Sequence, residues 1–308
     1  MINIYQTTLV KPLKFKGKGL HTGLEVEMKV LPADSNQGII FKRIDLKKNN
    51  IINANYLNVS SAKLCTTLEN STGAKVSTVE HLLAALYIAE IDNAIIEINS
   101  PEVPIMDGSA KSFLDALKHS KIKTLSEKRK FLKFLKKLEY KDGKKTISIE
   151  PNEDSFEVEF QLNYDNKLIG DQKNTVNFQK DSLDEVIESR TFCLFKDIEK
   201  IKRIGLAKGG SLENAIIVDD DKVLNDGGLR NKKEFVNHKI LDLAGDFLLS
   251  GYRVLGKVTC NQGGHELTNL FLKKVFKIKN AFVINEIKNI NFSNKIKLNY
   301  IEKLAVNG

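Results

Sequence analysis

The chain has 308 residues, 42% hydrophobic and 28% charged, with 48 Lys and Arg against 39 Asp and Glu for a net charge of +9. That length predicts about two domains of ~150 residues, with a core that needs no covalent staples. No run approaches the ~18 apolar residues of a membrane helix, and Cys65, Cys193 and Cys260 lie too far apart for a disulfide framework or a Cys-based zinc site.

The cysteine usage fits a reducing, cytoplasmic setting, and Met1–Val10 shows no basic region followed by an apolar one, so no signal peptide is expected. The positive charge invites a nucleic-acid reading. Only six of the cations are Arg, and they form no cluster with aromatics. Arg is the usual reader of phosphates and bases, so a spread of Lys reads as background composition and leaves an anionic small substrate open.

In chain order, residues 1–60 alternate like strands and break at Gly17-Lys18-Gly19 and His21-Thr22-Gly23. His21 reads as a turn residue. A strand is predicted over Leu64–Glu69, with Asn70–Gly73 as its turn. Ser77 and Glu80 then have capping-box spacing at the head of a helix. Glu80-His81 also resembles half of an H-E-x-x-H zinc site, but Ala85 stands where the second histidine would be. Glu80 cannot easily both cap and act as a base, so the two readings compete.

A strand at Asn93–Asn99 leads through Pro101–Ser109 to a helix over Ala110–Lys118, with Asp107 or Ser109 as its cap. The domain boundary is expected within 122–130, giving domains 1–125 and 126–308. Strands follow at Lys145–Pro151, Phe156–Leu162 and Asn174–Phe178, then a short helix at Asp181–Glu188. Residues 193–225 read as a small strand–helix–strand insertion. The helix at about 232–250 has Gly251 as its stop. A strand at Val254–Cys260 and a helix at Glu266–Val275 complete the pattern.

In the 232–250 helix apolar residues cover most of the circumference, yet His238, Asp242 and Asp246 recur every fourth residue. Carboxylates at that spacing repel, and each needs a partner if buried. A divalent metal on His238 and Asp242, with a cation for Asp246, meets both needs. A satisfied core histidine with two acids at a solvent edge explains the same residues. A catalytic zinc takes three protein ligands and leaves one position open, so His81 with His238 and Asp242 would complete a site. Glu80 could then take a proton from water, and His265, charged against Asp246, could protonate a leaving amine.

Ser77-Thr78-Val79-Glu80-His81, Pro104-Ile105-Met106-Asp107-Gly108-Ser109, Ser189-Arg190-Thr191-Phe192, His238–Asp246, Gly264-His265 and Gly19–Gly23, in this order, resemble the bacterial UDP-3-O-acyl-N-acetylglucosamine deacetylases of lipid A biosynthesis. The resemblance runs essentially end to end. It implies an α+β fold of two similar domains, each a sheet with two helices. Their helix layers would pack face to face, a ribosomal S5 domain 2-like sandwich.

It also implies zinc on His81, His238 and Asp242, Glu80 as general base, His265 as the acid oriented by Asp246, and Thr191 as an oxyanion donor. Phe192 and Lys239 would contact the sugar–phosphate part of the substrate, and Leu64 and Cys65 would line the site. Leu194, Ile198, Gly210, Ser211 and Ala215 would wall an acyl-chain passage in the insertion. Lys42 and Thr22 depart from residues common in that family. The expected protein is a cytoplasmic, monomeric zinc amidohydrolase acting on a small molecule rather than nucleic acid. The rivals are a different zinc hydrolase on the same scaffold and a basic RNA-binding protein.

Overall fold

The computed structural model describes residues 4–286 and is a mixed α+β structure, with six α-helices among the described residues. They are α1 (Glu80–Ile88), α2 (Lys111–Ser120), α3 (Asp184–Glu188), α4 (Phe195–Arg203), α5 (Glu234–Leu248) and α6 (His265–Val275). No helix among the described residues is long and apolar enough to cross a membrane.

A five-stranded sheet orders its strands Leu13–Lys18, Glu25–Pro32, Ala94–Ile98, Ile39–Arg43 and Ile51–Asn53. Alternation decides its faces: Val26, Met28 and Val30 turn inward while Glu25, Glu27 and Lys29 face water. Phe15 of this sheet meets Phe113 of α2 edge to face at 5.2 Å. A seven-stranded sheet is built around Arg253–Asn261. That strand runs antiparallel to Lys145–Glu150 and parallel to Phe156–Asn163 and Lys130–Phe134.

The predicted strands and helices appear, with shifted ends. The strand expected from Leu64 starts only at Thr67, because Leu64 has φ +66° and turns the chain. Strands not foreseen include Ile122–Lys128, Lys130–Phe134 and Leu138–Asp142, which lie in a Lys-rich stretch whose alternation is masked by charge, and the short or terminal Lys75–Val76, Lys222–Val223 and Phe282–Glu286. Ile122–Lys128 pairs with Tyr5–Leu9, so the stretch around residue 125 is itself sheet.

The capping box is a correction. The N-cap of α1 is Val79, with no side-chain cap, and the Ser77 hydroxyl donates to the Pro101 carbonyl instead. The helix starts at Glu80 itself, which leaves Ser77 too far upstream to cap it, alone or in a box. The expected cap of α2 is likewise corrected: its N-cap is Ala110, with no side-chain cap. Ser109 and Asp107 lie just upstream, the Ser109 hydroxyl accepting from Lys111 N at 3.1 Å and donating to Asp107 Oδ1 at 2.8 Å.

Helices α1 and α5 pack against each other at the centre. Every residue of α1 is buried, and every residue of α5 except Lys239. Tyr87, Phe156, Phe247 and Phe271 form a series of ring contacts 5.4–6.3 Å apart that ties α1, the larger sheet, α5 and α6 into one core. The contact is close because α5 has Gly245 at the crossing. A Cβ there would fall 2.1 Å from the Glu80 carbonyl oxygen and 3.1 Å from Ala84 N. The far end of α1 is held from the second half of the chain. Arg253 donates to the carbonyls of Leu86 and Tyr87 in its last turn and of Ile91 just beyond it.

Gly245→Ala should therefore push α1 off α5. Overpacking of this kind costs about 1–3 kcal/mol, read as a lower urea midpoint at unchanged slope. Turnover should fall as well, since the displaced backbone belongs to Glu80. Unchanged stability would mean that the crossing is not limited by backbone contact.

Candidate active site

Because α1 meets α5 at its first turn, Glu80 and His81 lie over His238, Asp242 and Asp246 of α5. The Nε2 atoms of His81 and His238 approach Asp242 Oδ1 to 3.5 and 3.3 Å. One donor atom from each of the three residues lies within 4.8 Å of the others, and all three residues are buried. His238 Nδ1 faces the Ser189 carbonyl at 3.1 Å, so it carries the proton and Nε2 presents a lone pair. Burial lowers the His238 pKa to about 3, with Asp242 opposing, so the ring is neutral. Burial also opposes charge on Asp242, but the facing His238, Lys239 and His81 hold its carboxyl well below the usual range. Lys239 Nζ takes Asp242 Oδ2 at 2.8 Å, while the buried Oδ1 has no hydrogen-bond partner. The His238 Nε2 lone pair and the unpartnered Asp242 Oδ1 repel unless a cation lies between them. The donor set therefore fits a divalent metal such as zinc.

Beside this group stand a second acid and a third histidine. Glu80 is 2% exposed, and its Oε1 lies 3.6 Å from His265 Nε2. Burial raises its pKa, with His265 and His81 opposing. His265 Nδ1 meets Asp246 Oδ2 at 2.8 Å. Burial disfavours charge on this ring, but the carboxylates of Asp246, Glu80 and Asp242 outweigh it and push the pKa up to about 10. A buried carboxylate and a charged imidazole thus stand side by side next to the His81–His238–Asp242 group.

Residues 6–277 match the family described as UDP-3-O-acyl N-acetylglycosamine deacetylase. The chain belongs to that family. It is similar to proteins named UDP-3-O-acyl-N-acetylglucosamine deacetylase: 40% identical to one from Geotalea uraniireducens over 92% of both chains, and 41% identical to one from Nautilia profundicola over 88% of this chain and 91% of that one. A protein of the same name from Campylobacter jejuni subsp. doylei is 40% identical over 91% of this chain and 94% of the other.

In this deacetylase the cleft over the cluster is lined by Leu20, His21, Leu64, Thr78, Glu80, His81, Thr191, His238, Lys239, Asp242 and His265. Asp246 lies behind His265, and Cys65 is buried and, unlike Leu64, is not among the residues lining the cleft. Phe192 stacks edge-on to Phe235, 6.4 Å from the His238 ring, with Lys239 Nζ 5.6 Å above its face. The insertion residues Ile198, Gly210, Ser211 and Ala215 do not line this cleft. Ala215 is buried, whereas Gly210 and Ser211 are exposed. A larger cavity of about 680 Å³ lies elsewhere, between Tyr164–Lys167, Leu194, Lys196 and Val218–Asp221. None of Glu80, His81, His238, Asp242 and His265 lines it.

Three residues received no site role from the sequence: Thr66 lies outside the family-like motifs, while His21 and Gly245 lie inside them. Thr66 donates its amide to Glu80 Oε2 at 3.0 Å and its hydroxyl to Asp246 Oδ1 at 2.7 Å, orienting both acids. A threonine beside a strand is unremarkable until the strand is docked. Gly245 matters only through its contact with Glu80. His21 read as a turn residue and is instead buried in the cleft.

His265 has a folded pKa of about 10 and an unfolded one near ~6.5. Its charge therefore contributes stability that is fully present below pH ~6.5 and is lost as pH rises toward about 10. Asp246→Asn keeps the shape and removes the charge, so it should flatten this dependence in the metal-free protein. It should also move the imidazole titration, followed by NMR, to lower pH. An unmoved titration would rule out Asp246 as the group that holds the proton on His265.

Proposed function

We propose that the chain hydrolyses the 2-acetamido group of UDP-3-O-acyl-N-acetylglucosamine, releasing acetate in the committed step of lipid A biosynthesis. The observation that carries this reading is the convergence of His81 and His238 Nε2 on Asp242 Oδ1, with Glu80 and His265 facing each other alongside. His81, His238 and Asp242 would hold zinc. When bound, zinc supplies Lewis acidity, lowering the pKa of a water toward ~7 and polarising the amide carbonyl.

The protein's own groups do the rest. Glu80 takes a proton from water, aided by the burial that raises its pKa. The Thr191 hydroxyl donates to the oxyanion that develops as the C–O bond forms. The main chain around Thr191 is held by Thr191 N to the Gly108 carbonyl and Ile216 N to the Thr191 carbonyl, both at 2.8 Å. His265 delivers a proton from Nε2 to the nitrogen as the C–N bond breaks, and Asp246 keeps that ring oriented and charged.

Lys239 and Phe192 would meet the sugar–phosphate part. Leu64 and Cys65 would line the acetamide side, and the insertion at 193–225 would guide the acyl chain along Leu194, Ile198, Gly210, Ser211 and Ala215. We read the chain as two similar α+β domains, 1–125 and 126–308, with the site at their junction, acting as a cytoplasmic monomer. Its three cysteines are free, which supports a reducing setting.

One zinc per chain should be found by metal analysis, and His81→Ala, His238→Ala and Asp242→Ala should each lower it together with acetate release. Glu80→Ala should keep the metal and lose on the order of 10²–10⁴-fold in rate. Full zinc in all three ligand variants would overturn the metal site, and near-normal turnover of Glu80→Ala would remove it from the chemistry.

The acyl passage has its own test. Each buried methylene is worth about 0.8 kcal/mol. Ala215→Phe should therefore raise KM for a long-chain substrate far more than for UDP-N-acetylglucosamine, and equal losses would count against a passage there.

A further inference from the structure

His21 is the one histidine of the cleft that the proposed chemistry leaves unused. It is 7% exposed, and its Nε2 is buried without a hydrogen-bond partner. Its Nδ1 accepts from Ala207 N at 3.4 Å, which puts the proton on Nε2. Burial lowers its pKa, with Glu102 opposing and His265 and His81 adding, so the ring is a neutral one-proton donor.

The loop that carries it is tightly held. Glu102, fully buried, accepts from His21 N at 2.8 Å, from Thr22 N and Oγ1 at 2.7 Å, and from Thr78 Oγ1 at 2.9 Å. Thr78 lies two residues before Glu80, so one carboxylate ties the His21 loop to the head of α1. On its other side the loop meets the insertion through Gly209 N to the Leu20 carbonyl at 3.0 Å. A Cβ on Gly209 would fall 2.2 Å from the Gly19 carbonyl. His21 thus sits between the metal-binding group and the start of the 207–211 segment.

We infer that His21 Nε2–H donates to the ester carbonyl of the substrate's 3-O-acyl group, making it a specificity residue for acylated over unacylated sugar. The inference rests on the proposed function. The acetamide and the ester stand on neighbouring carbons of one ring. With the acetamide at the His81–His238–Asp242 group and the chain directed to the insertion, the ester must cross the ground that His21 occupies. A buried donor left unpaired is costly, and a carbonyl arriving there satisfies it.

The test is calorimetric binding to the zinc-loaded protein. The ligands are the unreactive product UDP-3-O-acyl-glucosamine and its 3-O-alkyl ether, which has the same chain and no carbonyl. The unchanged protein should bind the ester about tenfold more tightly than the ether, the worth of one hydrogen bond. His21→Ala should lose about that factor on the ester and almost nothing on the ether, so that the two changes are not additive. Equal affinity of the unchanged protein for ester and ether would overturn the inference, and so would an equal loss on both ligands in His21→Ala. Failure of the unchanged protein to bind either ligand would instead strike the proposed function itself.

Discussion

Gly245 lets the first turn of α1 lie directly against the backbone of α5, with the Glu80 carbonyl where any side chain on that residue would have to go. The rest of the site follows from this approach. Glu80 and His81 come from one end of a short helix, and His238, Asp242 and Asp246 come from the length of another. Neither helix has enough donors alone. Brought together, they place two imidazole nitrogens within 3.5 Å of one carboxylate oxygen.

Packing at that distance creates an electrostatic problem, because Glu80, Asp242 and Asp246 are all at most 5% exposed. Unpaired buried carboxylates are strongly unfavourable. Asp246 takes His265 and Thr66, and Glu80 takes the Thr66 amide with His265 close by. Asp242 takes Lys239 on one oxygen. Its other oxygen faces only imidazole nitrogens, and that residual need is what lets the group accept a metal where a closed ion-pair network would not. The same carboxylates hold a proton on His265 near neutral pH while His238, without an acid on its far nitrogen, stays neutral.

Both ends of α1 are then fixed by residues distant in sequence. At the far end, Arg253 binds the Leu86 and Tyr87 carbonyls, and Arg129 and Arg253 share Asp92. Near the site, fully buried Glu234 binds Arg190 at 2.8 Å, one residue before Thr191, and Asp107 binds Arg230 at 2.8 Å across the halves of the chain. A catalytic geometry spread over five loops and helices needs such ties, because an error of about 1 Å in placement is expensive in rate.

The sequence by itself determined the local elements and the chemical repertoire. Alternation placed Glu25–Pro32 and Phe156–Asn163, the apolar circumference placed α5, and its every-fourth-residue stripe marked His238, Asp242 and Asp246. Such patterns are legible because period and residue type are local properties. Tertiary structure decided what local spacing cannot. Ser77 and Glu80 have the spacing of a capping box, yet the carboxylate is taken by Thr66 and the box never forms. The strands at 122–142 hide under lysines whose aliphatic stems can cover apolar surface. The roles of Thr66, Gly245 and His21 cannot be read along the chain, because they are contacts with residues 14 to 186 positions away. Which histidine keeps a proton was also decided there, since that depends on which acids surround each ring after folding, and no spacing along the chain encodes it.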